Sequence, residues 1–195
     1  MATRVFLILA ANEKDRPGLV AELSGFIAQC GCNVEDSRVV VLGGYAGLMF
    51  LISGDATEIA SVANGLDALE RSTGVRAVAR RITDEHVPSA AERPAASFTV
   101  TASAIDHEGI IHAITDAVRA HGGNILELET STESAPMTGS PLFTLRMTLT
   151  LAEHHGSVER LRSALEALSR AQAIDIEIQP AEERQGRGEE ALKPA

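Results

Sequence analysis

One segment of this chain is written twice, at a constant offset of 91 positions. The first copy reads Asp15-Arg16-Pro17-Gly18-Leu19-Val20, then Gly31-Cys32-Asn33-Val34-Glu35. The second reads Asp106-His107-Glu108-Gly109-Ile110-Ile111, then Gly122-Gly123-Asn124-Ile125-Leu126-Glu127. Asp15 aligns with Asp106, Gly18 with Gly109, Gly31 with Gly122 and Asn33 with Asn124, without a gap. Such repetition at fixed spacing means two copies of one small unit, so the chain must fold as a tandem. What recurs is an Asp and a Gly at a helix start and an Asn at the start of the next element. Backbone and short polar side chains of this kind make a ligand pocket rather than a catalytic centre.

The patterning gives both copies one element order. Arg4 to Ala11 is apolar enough for a buried strand, and Asn12 to Asp15 reads as a polar turn. Asp15 is the expected N-cap, Pro17 suits a first helical turn, and Gly18 inside that turn is expected at negative φ. Leu19, Val20, Leu23, Phe26, Ile27 and Cys30 then follow helical spacing up to Gly31. Strands at Val34–Leu42 and Tyr45–Ser53 flank a Gly43-Gly44 hairpin turn. A second helix on Ile59, Val62, Leu66 and Leu69 stops at Gly74, and Val75–Ile82 is a last strand. The order repeats over strand Ser97–Ala104, helix Gly109–His121, strands Asn124–Glu133 and Leu142–Leu151, helix Ser157–Ala171 and strand Ile174–Gln179. The second hairpin carries an insertion at 134–141.

The expected fold class is therefore α+β, with two ferredoxin-like βαββαβ units in tandem and antiparallel sheets. The first unit spans 3–82, a proline-containing linker 83–96, the second unit 97–180, and a disordered charged tail 181–195. Two helices cover one face of each sheet, which leaves the other face and the strand edges in need of a partner. The two units are expected to pack on each other, and the chain to form a homodimer.

Charge excludes one class of function. The net charge is −10, and the acidity lies beyond residue 82. No basic stripe offers itself to a phosphate backbone, so direct nucleic-acid binding is not expected. No apolar run reaches the length of a membrane span, and a soluble, cytoplasmic protein is expected. Cys30 and Cys32 are too close in sequence to staple a fold, and with no ligand-spaced partner nearby they read as core packing rather than a zinc site. His154-His155 reads as a solvated loop, and Glu35-Asp36 as carboxylates on alternate strand faces. No catalytic triad order and no phosphate-binding glycine loop occurs, so no enzyme, cofactor or metal is expected.

Asp15-Arg16-Pro17-Gly18 at a strand-to-helix turn, followed by Gly31-Cys32-Asn33-Val34 opening a strand, resembles the ACT domain family. Residues 30–38 and the tandem arrangement narrow the resemblance to two-domain ACT regulators of transcription. The resemblance runs over about residues 3–180, with the second motif altered where Arg16-Pro17 becomes His107-Glu108. It implies a small ligand, most often an amino acid, here glycine or serine. It also implies a protein partner, such as a DNA-binding regulator, that reads the ligand level. On this view the ligand-binding candidates are Asp15, Gly18, Leu19 and Asn33, with Asp106, Gly109, Ile110 and Asn124 in the second copy, and by resemblance Asn12 and Glu13. Each has a structural alternative: the turn itself calls for the glycines, the Asn residues can hold a corner, and the Asp residues can cap a helix. Arg16, which has no equivalent in the second copy, reads as a solvated or ion-paired residue rather than a ligand clamp. The rival reading for the whole chain is a ligand-free interaction or oligomerisation module.

Overall fold

The computed structural model describes residues 4–82, 96–135, 139–151 and 157–181. It divides into two compact units, Met1–Ala91 and Glu92–Ala195. The first holds β1 (Val5–Lys14), α1 (Leu19–Gln29), β2 (Asn33–Leu42), β3 (Tyr45–Gly54), α2 (Ala56–Thr73) and β4 (Ala77–Ile82). The second holds β5 (Ser97–Ile105), α3 (Ile110–Ala120), β6 (Gly123–Ser134), β7 (Pro141–Leu151), α4 (Ser157–Gln172) and β8 (Asp175–Pro180). The sheets are fully antiparallel, with strand orders β2-β3-β1-β4 and β6-β7-β5-β8. This is the βαββαβ arrangement in each unit, and the α+β reading holds.

Burial follows the two-residue period of the strands. In β1, Leu7, Leu9 and Ala11 are buried while Phe6, Ile8 and Ala10 are only partly covered. The buried set meets Leu19, Leu23 and Ile27 of α1 and Ile59, Val62 and Leu69 of α2. The second core repeats this with Val100, Ala102 and Ala104 under Ile110, Ile114, Val118, Leu161 and Leu165. Cys32 lies in the first core and Cys30 packs at its margin.

Local details differ from the sequence reading in four places. First, β1 does not end at Ala11: Asn12, Glu13 and Lys14 pair with Gly47, Ala46 and Tyr45. The tight Gly43-Gly44 turn, with both residues at positive φ, extends β3 far enough to hold them. Second, Asp15 and Asp106 are not N-caps. Their backbone N–H groups donate to Gly44 O and Pro141 O, each at 2.9 Å, and the cap positions fall to Gly18 and Gly109. Third, those glycines are left-handed, each at φ 91, so the expectation of negative φ fails. Fourth, strands β2 and β6 each carry a bulge at the same place in the repeat, between Val34 and Asp36 and between Ile125 and Glu127. Strict alternation of Glu35 and Asp36 is therefore lost. The expected linker and tail, and His154-His155, fall outside the described residues but for Ala96 and Ala181.

Candidate ligand-binding site

The turn between β1 and α1 builds one concavity. Asp15, Gly18, Val20 and Ser24 line it with Val39 and Leu48, around a volume of about 420 Å³. Helix α1 opens here with no side-chain cap, and α3 likewise. By contrast α2 is closed by a capping box: Asp55 accepts from Thr57 and Glu58 N–H, and Glu58 accepts from Asp55 N–H at 2.7 Å. First-turn N–H groups without an internal partner need another acceptor, and the helix dipole favours an anion there. A Cβ at Gly18 would come no nearer than 3.8 Å to Glu22 Oε1, so the space in front of the turn is open. Leu19 and Ile110 are buried in the cores of their own units.

Arg16 braces the turn. Its guanidinium donates to both Glu22 oxygens at 2.6 and 2.7 Å and to Thr73 O at 3.1 Å, tying the turn to α1 and to the end of α2. The fork geometry fits a carboxylate at two points. That hydrogen bond holds the Glu22 carboxyl below the ordinary range and raises Arg16 further. The second copy has His107 at this position, whose ring bonds the neighbouring Glu108 O at 3.0 Å.

Asn33 stands elsewhere. It pairs with Ser53, which pairs with Phe6 near the start of β1, whereas Gly18 follows the end of β1. From Phe6 to Lys14 the strand covers about 26 Å. Asn33 Nδ2 donates to Glu35 Oε1 at 2.8 Å, and the same oxygen takes Ser53 Oγ at 2.6 Å and Arg4 Nη2 at 2.5 Å. Arg4 Nε also donates to Ser53 Oγ at 2.9 Å. Ser53 first, then Asn33 and Arg4, hold the Glu35 carboxyl below the ordinary glutamate range against the opposing effect of burial. In the second copy Leu126 replaces Glu35 beside Asn124, and Thr150 stands opposite, so the cluster is not rebuilt.

The candidates thus separate. Asp15 and Gly18 come together, as do Asp106 and Gly109 in the second unit. Asn12 lies in a different concavity on the opposite sheet face, with Arg38, Met49 and Val78. Glu13 Oε1 accepts from Lys14 N–H at 2.9 Å. The sequence showed Glu35 only as one of two carboxylates along a strand and did not join Arg4 and Ser53 to it, although the bulge that brings Glu35 beside Asn33 follows the repeated Asn. Both cysteine thiols are pushed up, by burial foremost. Among the described residues no three His, Cys, Asp or Glu side chains gather to hold a metal.

Residues 6–79 match the ACT domain family model. The glycine cleavage system transcriptional repressor of Escherichia coli (strain K12) is 31% identical over 135 residues, 69% of this chain and 69% of that one. The protein of the same name from Shigella flexneri matches equally. Among solved structures, an unknown protein from Galdieria sulphuraria superposes over 92% of this chain and 100% of its own at 25% identity, with a TM-score of 0.78. A candidate glycine cleavage system transcriptional repressor covers 93% of this chain and 99% of its own at 21% identity and TM-score 0.69, a likeness of fold. The repeated Asp-x-x-Gly turn, the two βαββαβ units and these relatives together place the chain in the ACT-domain family, in the group of tandem ACT proteins that contains the glycine cleavage system transcriptional repressor.

Proposed function

We propose that this protein is a regulator that binds a small amino acid, glycine or serine, and passes its level to a protein partner, in the cytoplasm and without catalysis of its own. The observation that carries the reading is the uncapped start of α1 at Gly18, open to solvent beside Asp15. A ligand carboxylate suits the free N–H groups of that turn, and Asp15 suits an ammonium. The relatives' name supports a partner in transcription, and the acidic charge of this chain favours action through a DNA-binding protein rather than on DNA.

Gly18 and Asn33 cannot reach one ligand from within one unit, given their places at opposite ends of β1. The reading therefore rests on Gly18 and Asp15, while Asn33 serves the Glu35 cluster, to which one of its amide hydrogens is given.

A thermal-shift panel of the twenty amino acids tests the reading. Binding only the native state stabilises it by about 2.7 kcal/mol at a ligand concentration of 100 Kd. Glycine or serine is expected to raise the melting temperature at millimolar concentration, and Asp15→Asn to reduce that shift. No shift with any amino acid would leave the interaction-module reading, which the exposed β2 valines favour.

A further inference from the structure

The two units differ sharply on the sheet face that their helices leave open. The pairing registers lay that face out in rows across the strands in the order β2, β3, β1, β4. One row of the first unit reads Asp36, Leu51, Ile8, Arg80. The next reads Arg38, Met49, Ala10, Val78, and Met49 and Val78 are 51% and 70% exposed. The matching rows of the second unit read Glu127, Thr148, Thr99, Gln179 and Glu129, Arg146, Thr101, Glu177. At corresponding places Leu51 becomes Thr148, Ile8 becomes Thr99, Met49 becomes Arg146 and Val78 becomes Glu177. The fold asks nothing different of these positions in the two copies. The second face has the composition of a sheet surface in water, and the first that of a surface covered by something apolar.

We propose that the open sheet face of the first unit is a self-association surface, and that its occupant is the same face of a second copy of this chain. Three observations select that occupant. The face of the second unit is Thr-rich and acidic, and offers Leu51, Ile8 and Met49 no apolar counterpart. The first row is self-complementary: it has an acid on the β2 edge, a base on the β4 edge and two aliphatic side chains between. A two-fold axis along the strands, between two stacked faces, lays β2 over β4 of the partner copy and each row over itself. Asp36 then meets the partner copy's Arg80, Arg80 meets the partner copy's Asp36, and Leu51 meets Ile8. Third, the size suffices. Three strands of ten residues and one of six, at about 3.3 Å per residue and about 4.8 Å spacing, give roughly 570 Å² per face. Two such faces reach about 1,140 Å², above the roughly 1,000 Å² that a specific interface must clear. Gly47, beside Met49 on β3 and between Val40 and Asn12 on the neighbouring strands, opens a shallow concavity of about 510 Å³ on this face. Apart from Asn12, this surface shares no residue with the ligand reading, since the Gly18 concavity lies on the opposite sheet face.

Sedimentation equilibrium of the full-length chain, over roughly 1–100 μM as suits an interface of this size, tests it. The unaltered chain is expected to dimerise in that range. Met49→Lys is expected to raise the dimer dissociation constant by about tenfold or more, as for a truncated central contact, with far-UV circular dichroism unchanged. Thr101→Lys, next to Arg146 in the row of the second face that matches Met49's, is the control and should leave the mass unchanged. Asp36→Arg and Arg80→Asp should each weaken the dimer, and the double exchange should restore it. The restoration separates a contact between copies from the pair Asp36 makes within its own strand with Arg38 at 2.7 Å. The proposal is overturned if the chain is monomeric throughout, if Met49→Lys leaves the dimer intact, or if Thr101→Lys alone dissolves it. It is equally overturned if Met49→Lys changes the melting temperature but not the mass, the sign of a face covered within one chain.

Discussion

Gly18 and Gly109 carry the motif, and the backbone explains both. At φ 91 an L residue is strained whatever room its side chain has, and room is ample, with nothing within 4 Å at Gly109. Gly18→Ala and Gly109→Ala are therefore each expected to lose about 1–2 kcal/mol without any ligand present, read as lower urea midpoints. A larger side chain at Gly18 would not be a silent way to block a pocket, because the strain comes first. The same conformation explains a weakness at the end of α4. There Ala173 sits at φ 54, in the place where α2 ends on Gly74 at φ 80. Ala173→Gly is expected to stabilise by about 0.5–1 kcal/mol, the relieved strain exceeding the added freedom of the unfolded chain, with a rise in melting temperature. Glu35 supplies the residue-scale pH dependence. Its carboxyl is depressed in the fold, by Ser53 foremost, so its stabilisation is present above the unfolded glutamate value of about 4.3 and is lost as pH falls through the lower folded value. Glu35→Gln should thus be less stable than the parent at neutral pH. The difference should close in acid, below the depressed folded value, as thermal melts from pH 7 down to pH 2.5 would record.

The elements were legible because their periods are clean. The helical stripe Leu19-Leu23-Ile27 and the alternation in β1 are both visible without a structure, and the repeat makes each confirm the other. The ends were not. Whether Asn12 to Lys14 form a turn or a strand depends on β3, which lies some thirty residues away in sequence, and no local signal holds that information. The same limit applied to the site. Repetition identified Gly18 and Asn33, but nothing local says that they stand at opposite ends of β1, or that Arg4 and Ser53 converge on Glu35. Non-local packing also explains where the copies diverge. In the first unit Cys32 lies by Gly54, where a Cβ would meet its Sγ at 3.1 Å. In the second, Gly123 stands opposite Leu151. The larger side chain of the pair has changed strands, and the close packing is made from the other side. Gly123→Ala breaks that exchange, since its Cβ would come within 2.5 Å of Val118 Cγ1 and 3.1 Å of Val118 O. A loss of roughly 1–3 kcal/mol is expected by urea denaturation, as for other overpacked core sites.

At the scale of the whole molecule the two units have taken different surfaces over one fold. The first unit is nearly balanced in charge and apolar on its open face, and the rest of the chain holds 18 of the 27 acidic residues against 9 of the 17 basic ones. If the chain acts in transcription as proposed, it must reach DNA itself or a protein that does, and this division of charge favours the protein. Duplex DNA rewards several cations aligned along a groove, each contact releasing counterions and steepening the salt dependence. The basic side chains here are dispersed or engaged: Arg16 is held by Glu22, Arg76 by Glu70 and Arg119 by Asp116. Arg38 and Arg80 are set among Met49, Ala10 and Val78, where a phosphate backbone would strand apolar surface. The purified protein is therefore expected to give no salt-sensitive shift of duplex DNA in a gel assay at physiological ionic strength, with or without glycine or serine. A shift that weakens steeply between low and physiological salt would show that the chain contacts phosphates itself. In that case a relay through a DNA-binding partner would not be needed to connect ligand to transcription.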